Sequence, residues 1–591
     1  LSHADFTINK MKTLPHLGKT MNFKRSAFYR GAGAMLTAAT LMAQAASAAP
    51  QQPNILFIFS DDHSTRAISA YDDTMVQTPN IDRIAREGAI FENTFVGNSI
   101  CQPSRASVLT GKHSHLNGVI DNTSRWNRNQ TIFPRLLADE GYQTALIGKW
   151  HMHPTPTNEF QFSTVLYGSG GQGTYYNPQF IDNKSNVYTV QGYSTDVITD
   201  MALNWLEGSR EESKPFSLMV QFKSPHTPRR PPLRHLNLFK DHEFPEPATL
   251  YDDYTTRGEH APNAWMQIYG MNDEGINAFP PDGSTPEEKV VREKWLAKMA
   301  PNARKNFNSW MKRMNAEQRQ AWHDAYDDMN MDYWHKIQSA PYKRQFGDNI
   351  PPENRKARTK YMYQRFMKEY MASVVTVDEN VGRLLEWLDE NELAKNTIVV
   401  YSSDQSFFIG EHGWAEKRYM YEEGMKMPFV IRWPEGIKPN QKPQGMIQNI
   451  DFAPTFLSMV GAEVPEEMQG KSFKGLLTGE QTDQQWQAER PGLYYHYYMH
   501  GGHNVPRHDG VRSDRFKLIN FYTGEGSFEL YDLDNDPYET SNVYDNPEYK
   551  EVRKSMMAQL TNLRKEYEVP ESYYVAPYPY MNRKERKALG F

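Results

Sequence analysis

The sequence predicts an α/β protein: a large mixed, mainly parallel sheet sandwiched by helices, followed by a smaller antiparallel domain. Three observations carry this expectation. Continuous apolar runs of strand length recur along the chain, and each stops at charged or polar residues. Segments of helical period lie between them, as a parallel sheet with crossover helices requires. Beyond about residue 490 the pattern changes to short strand-like runs separated by turns.

The first run, Asn54 to Phe59 (NILFIF), reads as a buried parallel strand and ends in Ser60-Asp61-Asp62-His63. Open α/β sheets place their sites at such carboxyl ends. The same grammar returns at TALIGKWH (Thr144 to His151), FSLMVQFKSPH (Phe216 to His226) and TIVVYSSDQ (Thr397 to Gln405). In ASVVTVDENVGRLLEWLDENEL, residues Val377, Val381, Leu384, Leu385 and Leu388 share one face at helical spacing, the pattern of a crossover helix. From about 230 to 365 the chain becomes charged and rich in Met and Trp, which predicts an inserted helical excursion. Asp451 to Gly461 (DFAPTFLSMVG) reads as a helix stopped by its glycine. The runs GLYYHYY, FKLINFY and SFELYDL predict antiparallel strands, and a helix is expected around Met556 to Tyr567. The expected division is therefore a principal domain over 49–489, carrying the insertion, and a C-terminal domain over 490–591.

A chain of 591 residues can bury a sizeable core. Its 72 acidic against 66 basic residues provide no field to gather nucleic acid or an anionic membrane, so neither partner is expected. Aromatic residues make up 13% of the chain, a share that serves core packing and can also line sugar-binding grooves.

Met21 to Ala48 has a basic start (Lys24, Arg25, Arg30), an apolar Ala/Leu/Met run and a small-residue end at Ala46-Ser47-Ala48. These are the features of a secretory leader, so a periplasmic or secreted protein is expected, with residues 1–20 set aside as an upstream extension. No later segment reads as a membrane span, and no cysteine directly follows Ala48 to take a lipid. Oxidising compartments favour paired cysteines, yet Cys101 is the only cysteine in the chain. A lone thiol is commonly a small buried apolar group, and the alternatives are an intermolecular pairing or a chemical role.

Asp61-Asp62 and Asp404-Gln405 stand at two strand ends. Either pair alone fits a solvated turn or helix cap, whereas together they supply the oxygen ligands that a hard divalent cation wants. Lys149, His151, His226 and Lys417 are cations or potential cations near the same ends. Singly, each histidine is more often a structural group. Jointly with a metal, these residues suit a tetrahedral anion whose ester oxygen must be stabilised as it leaves.

CQPSRASVLTG, Cys101 to Gly111, matches the Cys-x-Pro-Ser-Arg-x4-Thr-Gly signature of the formylglycine-dependent sulfatases, a family with an alkaline-phosphatase-like fold. NILFIFSDD, GKWH, SPHTP and SDQSFFIGEHGWAEKRYMYEEGMKMPFVIRWP resemble its other blocks in the family's order, across roughly Pro53 to Gly461. GVRSDRFKLI and ELYDLDNDPYETSN are similar to its smaller terminal domain. Gln405 departs from the asparagine or histidine common beside the second metal aspartate, and Ser406 stands where glycine is frequent.

The resemblance implies that Cys101 is oxidised during export to formylglycine, hydrated to a geminal diol. The maturing enzyme would be a formylglycine-generating enzyme or an anaerobic sulfatase-maturating enzyme that reads a segment including Pro103 and Arg105. It implies one calcium ion on Asp61, Asp62, Asp404, Gln405 and an oxygen of modified residue 101. A diol oxygen would attack sulfur, with the alcohol leaving on a proton from His226 or Lys417. His151 would then help release sulfate, Arg105 and Lys149 would hold the diol and sulfate oxygens, and Ser104 and Thr110 would serve local hydrogen bonding. The expected substrate is a sulfated polysaccharide or its oligosaccharides, with ulvan, carrageenan and glycosaminoglycans all open. His503, Arg507 and His508, in the histidine-rich stretch Tyr494 to Arg512, are candidate sugar contacts or else plain surface-loop residues. Two rivals remain: a phosphatase or phosphodiesterase of the same superfamily, which would want two transition metals and a hydroxyl nucleophile, and a non-catalytic carbohydrate-binding relative.

Overall fold

The computed structural model describes residues 52–338, 352–499, 505–522 and 526–574. The leader, the upstream extension and His503 lie outside the described residues.

The strands in chain order are β1 (Asn54–Ser60), β2 (Ala89–Ile90), β3 (Thr94–Phe95), β4 (Gln143–Gly148), β5 (Phe162–Tyr167), β6 (Gln179–Asp182), β7 (Val187–Thr189) and β8 (Phe216–Gln221). They continue with β9 (Thr397–Ser403), β10 (Phe429–Arg432), β11 (Ile447–Gln448), β12 (Gly492–Tyr497), β13 (His508–Ser513), β14 (Phe516–Phe521) and β15 (Ser527–Asp532). Nine of them form one sheet in the order β2-β10-β9-β1-β8-β4-β5-β6-β7. Its centre, β9-β1-β8-β4-β5, is parallel, whereas the outer strands pair antiparallel. The carboxyl ends of the central strands therefore lie at one edge, and each apolar run delivers its polar tail to the same place.

Both faces of this sheet are covered, which explains why its central strands read as unbroken apolar runs. Alternate residues of β1 go to opposite cores. Leu56 and Ile58 pack with Val377, Val381, Leu384 and Leu388 of the long crossover helix and with Ile198 and Trp205. Ile55, Phe57 and Phe59 pack with Val108, Leu109, Phe133, Phe452 and Phe456 on the other side.

The excursion differs from its expected form at both ends. Its first part is irregular apart from short 3-10 turns, and its α-helices are Pro286–Lys298, Pro301–Arg313 and Ala316–Tyr333. Its tail is not separate from the crossover helix: one helix, Pro352–Glu390, spans both. The change of composition near Arg365 marks a change of neighbours along that helix. Met362, Phe366 and Tyr370 pack with Phe407 and Trp295, whereas Val377 to Leu388 cover the sheet. Helices of the excursion bury Phe307, Trp310, Trp322 and Tyr326 against Tyr175, Tyr176 and Tyr193.

β12 to β15 form the antiparallel sheet in sequential order. Tyr494, Val511, Leu518 and Leu530 face the helix Lys550–Glu566, whereas Tyr495, Tyr497, Ile519 and Phe521 join the core shared with β1. The strand β13 was not foreseen, because HDGVRS lacks an apolar alternation and its polar members find partners: Asp509 pairs with Arg564 at 2.7 Å and Arg512 with Glu422 at 3.2 Å.

Candidate active site

Cys101 opens the helix Cys101–Thr110, every residue of which is buried. The helix ends on Gly111 at φ 65, a left-handed position that glycine takes without strain. Asn449 donates to Ser104 Oγ at 3.0 Å and Thr110 Oγ1 donates to the Ala106 carbonyl at 2.8 Å, so both side chains serve local hydrogen bonding.

Around Cys101 the strand tails meet. The thiol donates to Asp61 Oδ1 at 3.3 Å, and Gln405 Nε2 lies 3.5 Å from Sγ and 2.5 Å from Asp62 Oδ1. Asp404 Oδ1 accepts from the Asp62 backbone N–H at 3.3 Å, tying the ends of β1 and β9 together. Lys149 pairs with Asp61, and Lys417 Nζ donates to Asp62 Oδ2 at 2.7 Å. His226 Nε2 lies 3.8 Å from that same oxygen. Arg105 donates from Nε to Asp404 Oδ2 at 3.0 Å and from Nη1 to the Lys149 carbonyl at 3.3 Å and to Gln221.

Backbone geometry aims these groups. Asp62 and His151 both adopt positive φ, at 64° and 53°, so the chain turns sharply at the ends of β1 and β4. Gly148 has φ 114°, and a Cβ there would lie 2.0 Å from the Gln221 carbonyl oxygen, so only glycine lets β4 and β8 converge beside Lys149.

Asp61, Asp62, Cys101 and Asp404 place ligand atoms within 4.8 Å of one another, all buried. Gln405 Oε1 is buried with no hydrogen-bond partner. Three carboxylates held together out of water, beside an amide oxygen left unsatisfied, form a donor set that fits a hard, oxygen-seeking divalent cation. Burial raises the Asp62 carboxyl above its usual range, opposed by Lys417. Burial likewise pushes the Cys101 thiol up to about 12, so the unmodified side chain is not a ready thiolate. Burial, then the cations Lys149 and Arg105, hold His151 well below 6.5, and its Nδ1 is buried without a partner. Burial and Lys149 similarly lower His226, whose Nδ1 donates to the Thr227 carbonyl at 2.6 Å, leaving Nε2 facing Asp62.

The structure thus brings Asp61, Asp62, Cys101, Arg105, Lys149, His226, Asp404, Gln405 and Lys417 into one cluster, with His151 just beyond Lys149. Of the terminal candidates, His503 lies outside the described residues, and His508 and Arg507 lie at and just before β13. His508 is fully buried, its ring stacked beside Tyr419, Tyr495 and Tyr497, and its Nδ1 is held by the Pro506 carbonyl at 2.9 Å. It packs at the start of β13 and is not a surface-loop residue. Arg507 is half-buried just before that strand.

Sequence reasoning missed Lys223, Gln221 and Tyr370. Tyr370, on the crossover helix, donates to the Asp62 carbonyl at 2.6 Å and accepts from the Ser64 N–H at 2.8 Å. Nothing in the helical pattern distinguishes it. Lys223 carried a signal, a lysine closing an apolar run three residues before His226.

A family model described as Sulfatase matches residues 53–462, and one described as N-sulphoglucosamine sulphohydrolase, C-terminal, matches residues 410–566. The N-acetylglucosamine-6-O-sulfatase of Bacteroides thetaiotaomicron is 42% identical over 521 residues, 88% of this chain and 87% of that protein. A solved structure described as a complex with its substrate D-glucosamine-2-N,6-O-disulfate superposes with a TM-score of 0.79 at 41% identity, covering 88% of this chain and 99% of the other. An ulvan-active sulfatase of Formosa agariphila is 23% identical over 549 residues, 87% of this chain and 80% of that protein.

Proposed function

The chain belongs to the sulfatase family, and from that premise we propose that it hydrolyses the 6-O-sulfate ester of a glucosamine-type residue in a sulfated glycosaminoglycan. The observation that carries the reaction is the position of Cys101: a helix-opening side chain 3.3 Å from Asp61, inside a buried cluster of carboxylates and cations. The sugar assignment rests on the similarity to the N-acetylglucosamine-6-O-sulfatase and to the glucosamine disulfate complex. Ulvan has support only from relatives sharing the fold at low identity.

Conversion of Cys101 to formylglycine, hydrated beside a calcium ion on Asp61, Asp62, Asp404 and Gln405, would supply an oxygen nucleophile and polarise the sulfate. Arg105 and Lys149 place positive charge around the sulfate oxygens, and Arg105 is itself locked by Asp404 and Gln221. His226 Nε2 and Lys417 Nζ converge on one oxygen of Asp62, which puts both on the same side of the site for the departing sugar oxygen, Lys417 with protons to donate and His226 with a free lone pair that exchanges one. Because His226 Nδ1 is committed to the Thr227 carbonyl, Nε2 is the atom that exchanges a proton. His151, with its free Nδ1, accepts a proton as sulfate is released. The leader at 21–48 would deliver the chain to the periplasm or beyond, where such glycans are met, after a maturing enzyme has acted on Cys101.

Desulfation of a panel of defined sulfated oligosaccharides, with chromatography of the products, tests this reading. Release from glucosamine 6-O-sulfates is expected. Turnover confined to other sugars would reject the sugar assignment, and phosphate-ester turnover with no sulfate release would reject the reaction.

A further inference from the structure

The segment after β8, residues 223–230, carries His226 together with three cations that the reaction above does not use: Arg230, which pairs with Glu274 at 3.3 Å, and Lys223 and Arg229. Lys223 and Arg229 are each only 3% exposed, and among the described residues neither forms an ion pair with a carboxylate. Lys223 Nζ makes one long hydrogen bond, 3.5 Å to the Thr227 carbonyl, the same oxygen that fixes His226 Nδ1. It sits 5.3 Å from the centre of the Tyr175 ring, whose hydroxyl donates to the His226 carbonyl at 2.5 Å. The ammonium thus reaches the Thr227 carbonyl directly and the His226 carbonyl only through the Tyr175 ring, with most of its donor capacity unused.

Arg229 lies between aromatic planes, its guanidinium carbon 4.7 Å from the Phe366 ring centre, 4.8 Å from Phe407 and 5.6 Å from Tyr370. Its Nε is buried with no hydrogen-bond partner. Phe407 also lies beneath Lys417 Nζ at 5.7 Å, and Tyr370 holds the Asp62 carbonyl, so Arg229 is one aromatic layer away from the reacting cluster. Burial holds both cations below their ordinary ranges, and the Asp62 carboxylate opposes this at each without pairing with either.

Burying a cation without a counter-ion costs several kcal/mol unless an anion completes it. Two such cations flank the histidine that faces the departing sugar, so the missing anion is one carried by that sugar. Resting on the glucosamine-sulfate reading, we infer that Lys223 and Arg229 form a second anion subsite, which holds a further negative substituent of the substrate on the leaving-group side. The chemistry required is a sulfate or carboxylate, supplied either by an N-sulfate on the same glucosamine or by the uronate of the neighbouring residue.

The test uses the full mature enzyme, made in a host that converts Cys101, and compares kcat/KM on three probes: N-acetylglucosamine 6-sulfate, glucosamine-2-N,6-O-disulfate, and a disaccharide joining a uronate to 6-sulfated N-acetylglucosamine. The wild type is expected to favour at least one doubly charged probe by about tenfold or more, the worth of a charge-assisted hydrogen bond. Whichever probe is favoured identifies the source of the anion. Lys223→Met and Arg229→Met should collapse that ratio towards one, whereas Lys223→Arg and Arg229→Lys, which keep the charge, should retain part of it and cover the case in which a Met variant fails to fold. Equal efficiency on all three probes by the wild type, or an undiminished ratio in the Met variants, overturns the subsite while leaving the glucosamine 6-sulfatase reading intact. Failure of the wild type on all three overturns that reading, and the subsite with it.

Discussion

The two larger sheets among the described residues are built on opposite rules, and only one of them makes a site. In the large sheet the central strands run parallel, so β1, β4, β8 and β9 end together and Asp61, Lys149, Lys223 and Asp404 share one edge. In the small sheet neighbouring strands run antiparallel, so successive ends alternate and no such edge accumulates. The small sheet contributes by packing. Tyr495 of β12 donates to the Arg418 carbonyl at 2.5 Å and accepts from the Ser99 N–H at 3.3 Å, bracing the segments before Cys101 and after Lys417. Parallel topology concentrates chemistry, and antiparallel topology supplies a wall that steadies it.

Substitutions on the two sides should therefore differ in size as well as in kind. Cys101→Ser, at the parallel edge, should reduce sulfate release on the order of 10⁴-fold or more, the scale of losing a nucleophile, with an unchanged melting temperature. Retained turnover would break the comparison at its centre. Chelation with EDTA should also silence the enzyme, and calcium should restore it if Gln405 and the three aspartates hold that ion. A chelated enzyme with full activity would remove the metal from the account. His226→Gln should lower kcat by about 10²–10⁴-fold on sugar sulfates, the usual worth of a general acid or base, and less on 4-nitrophenyl sulfate, whose leaving group needs no proton. Equal losses on both esters would deny His226 a role at the leaving oxygen.

Across the boundary, Tyr495→Phe removes one buried hydroxyl and should cost about 1 kcal/mol of stability and less than tenfold in kcat/KM. A loss as large as that of His226→Gln would show that the small sheet takes part directly.

The last effect bears on stability alone and concerns the connection between β9 and β10. Burial disfavours the His412 imidazolium, but its bond to Asp252 (2.8 Å) and the nearby Glu423 (3.7 Å) overcome this and raise it to about 9. A folded-state pKa above the ordinary 6.5 means a stabilisation fully present below about 6.5 and lost as the pH climbs through about 9. Thermal melts across that window should show the decline in the wild type and a flatter profile in His412→Gln.

Four of the large sheet's nine strands, β1, β4, β8 and β9, were legible, because a parallel strand covered on both faces must be apolar throughout, and its polar tail then stands out; the other five were not singled out. NILFIFSDD and TIVVYSSDQ announce themselves in this way. β13 was not legible, since its polar residues are satisfied by Arg564 and Glu422, partners remote in the chain. The end of the excursion was misplaced because composition follows a helix's neighbours, and Pro352–Glu390 changes neighbours midway without a break.

The sequence by itself determined the class of fold, the strand ends that carry polar groups, and the residue types gathered around Cys101. Local periodicity and short motifs record these directly, because each depends on what a residue is and on its near neighbours in the chain. Only the tertiary structure decided which of those groups meet, that His508 is packed between tyrosines, and that Lys223 and Arg229 are buried with no carboxylate partner among the described residues. Burial and pairing are properties of contacts between distant segments, and the energy of a buried charge is set by what surrounds it in space.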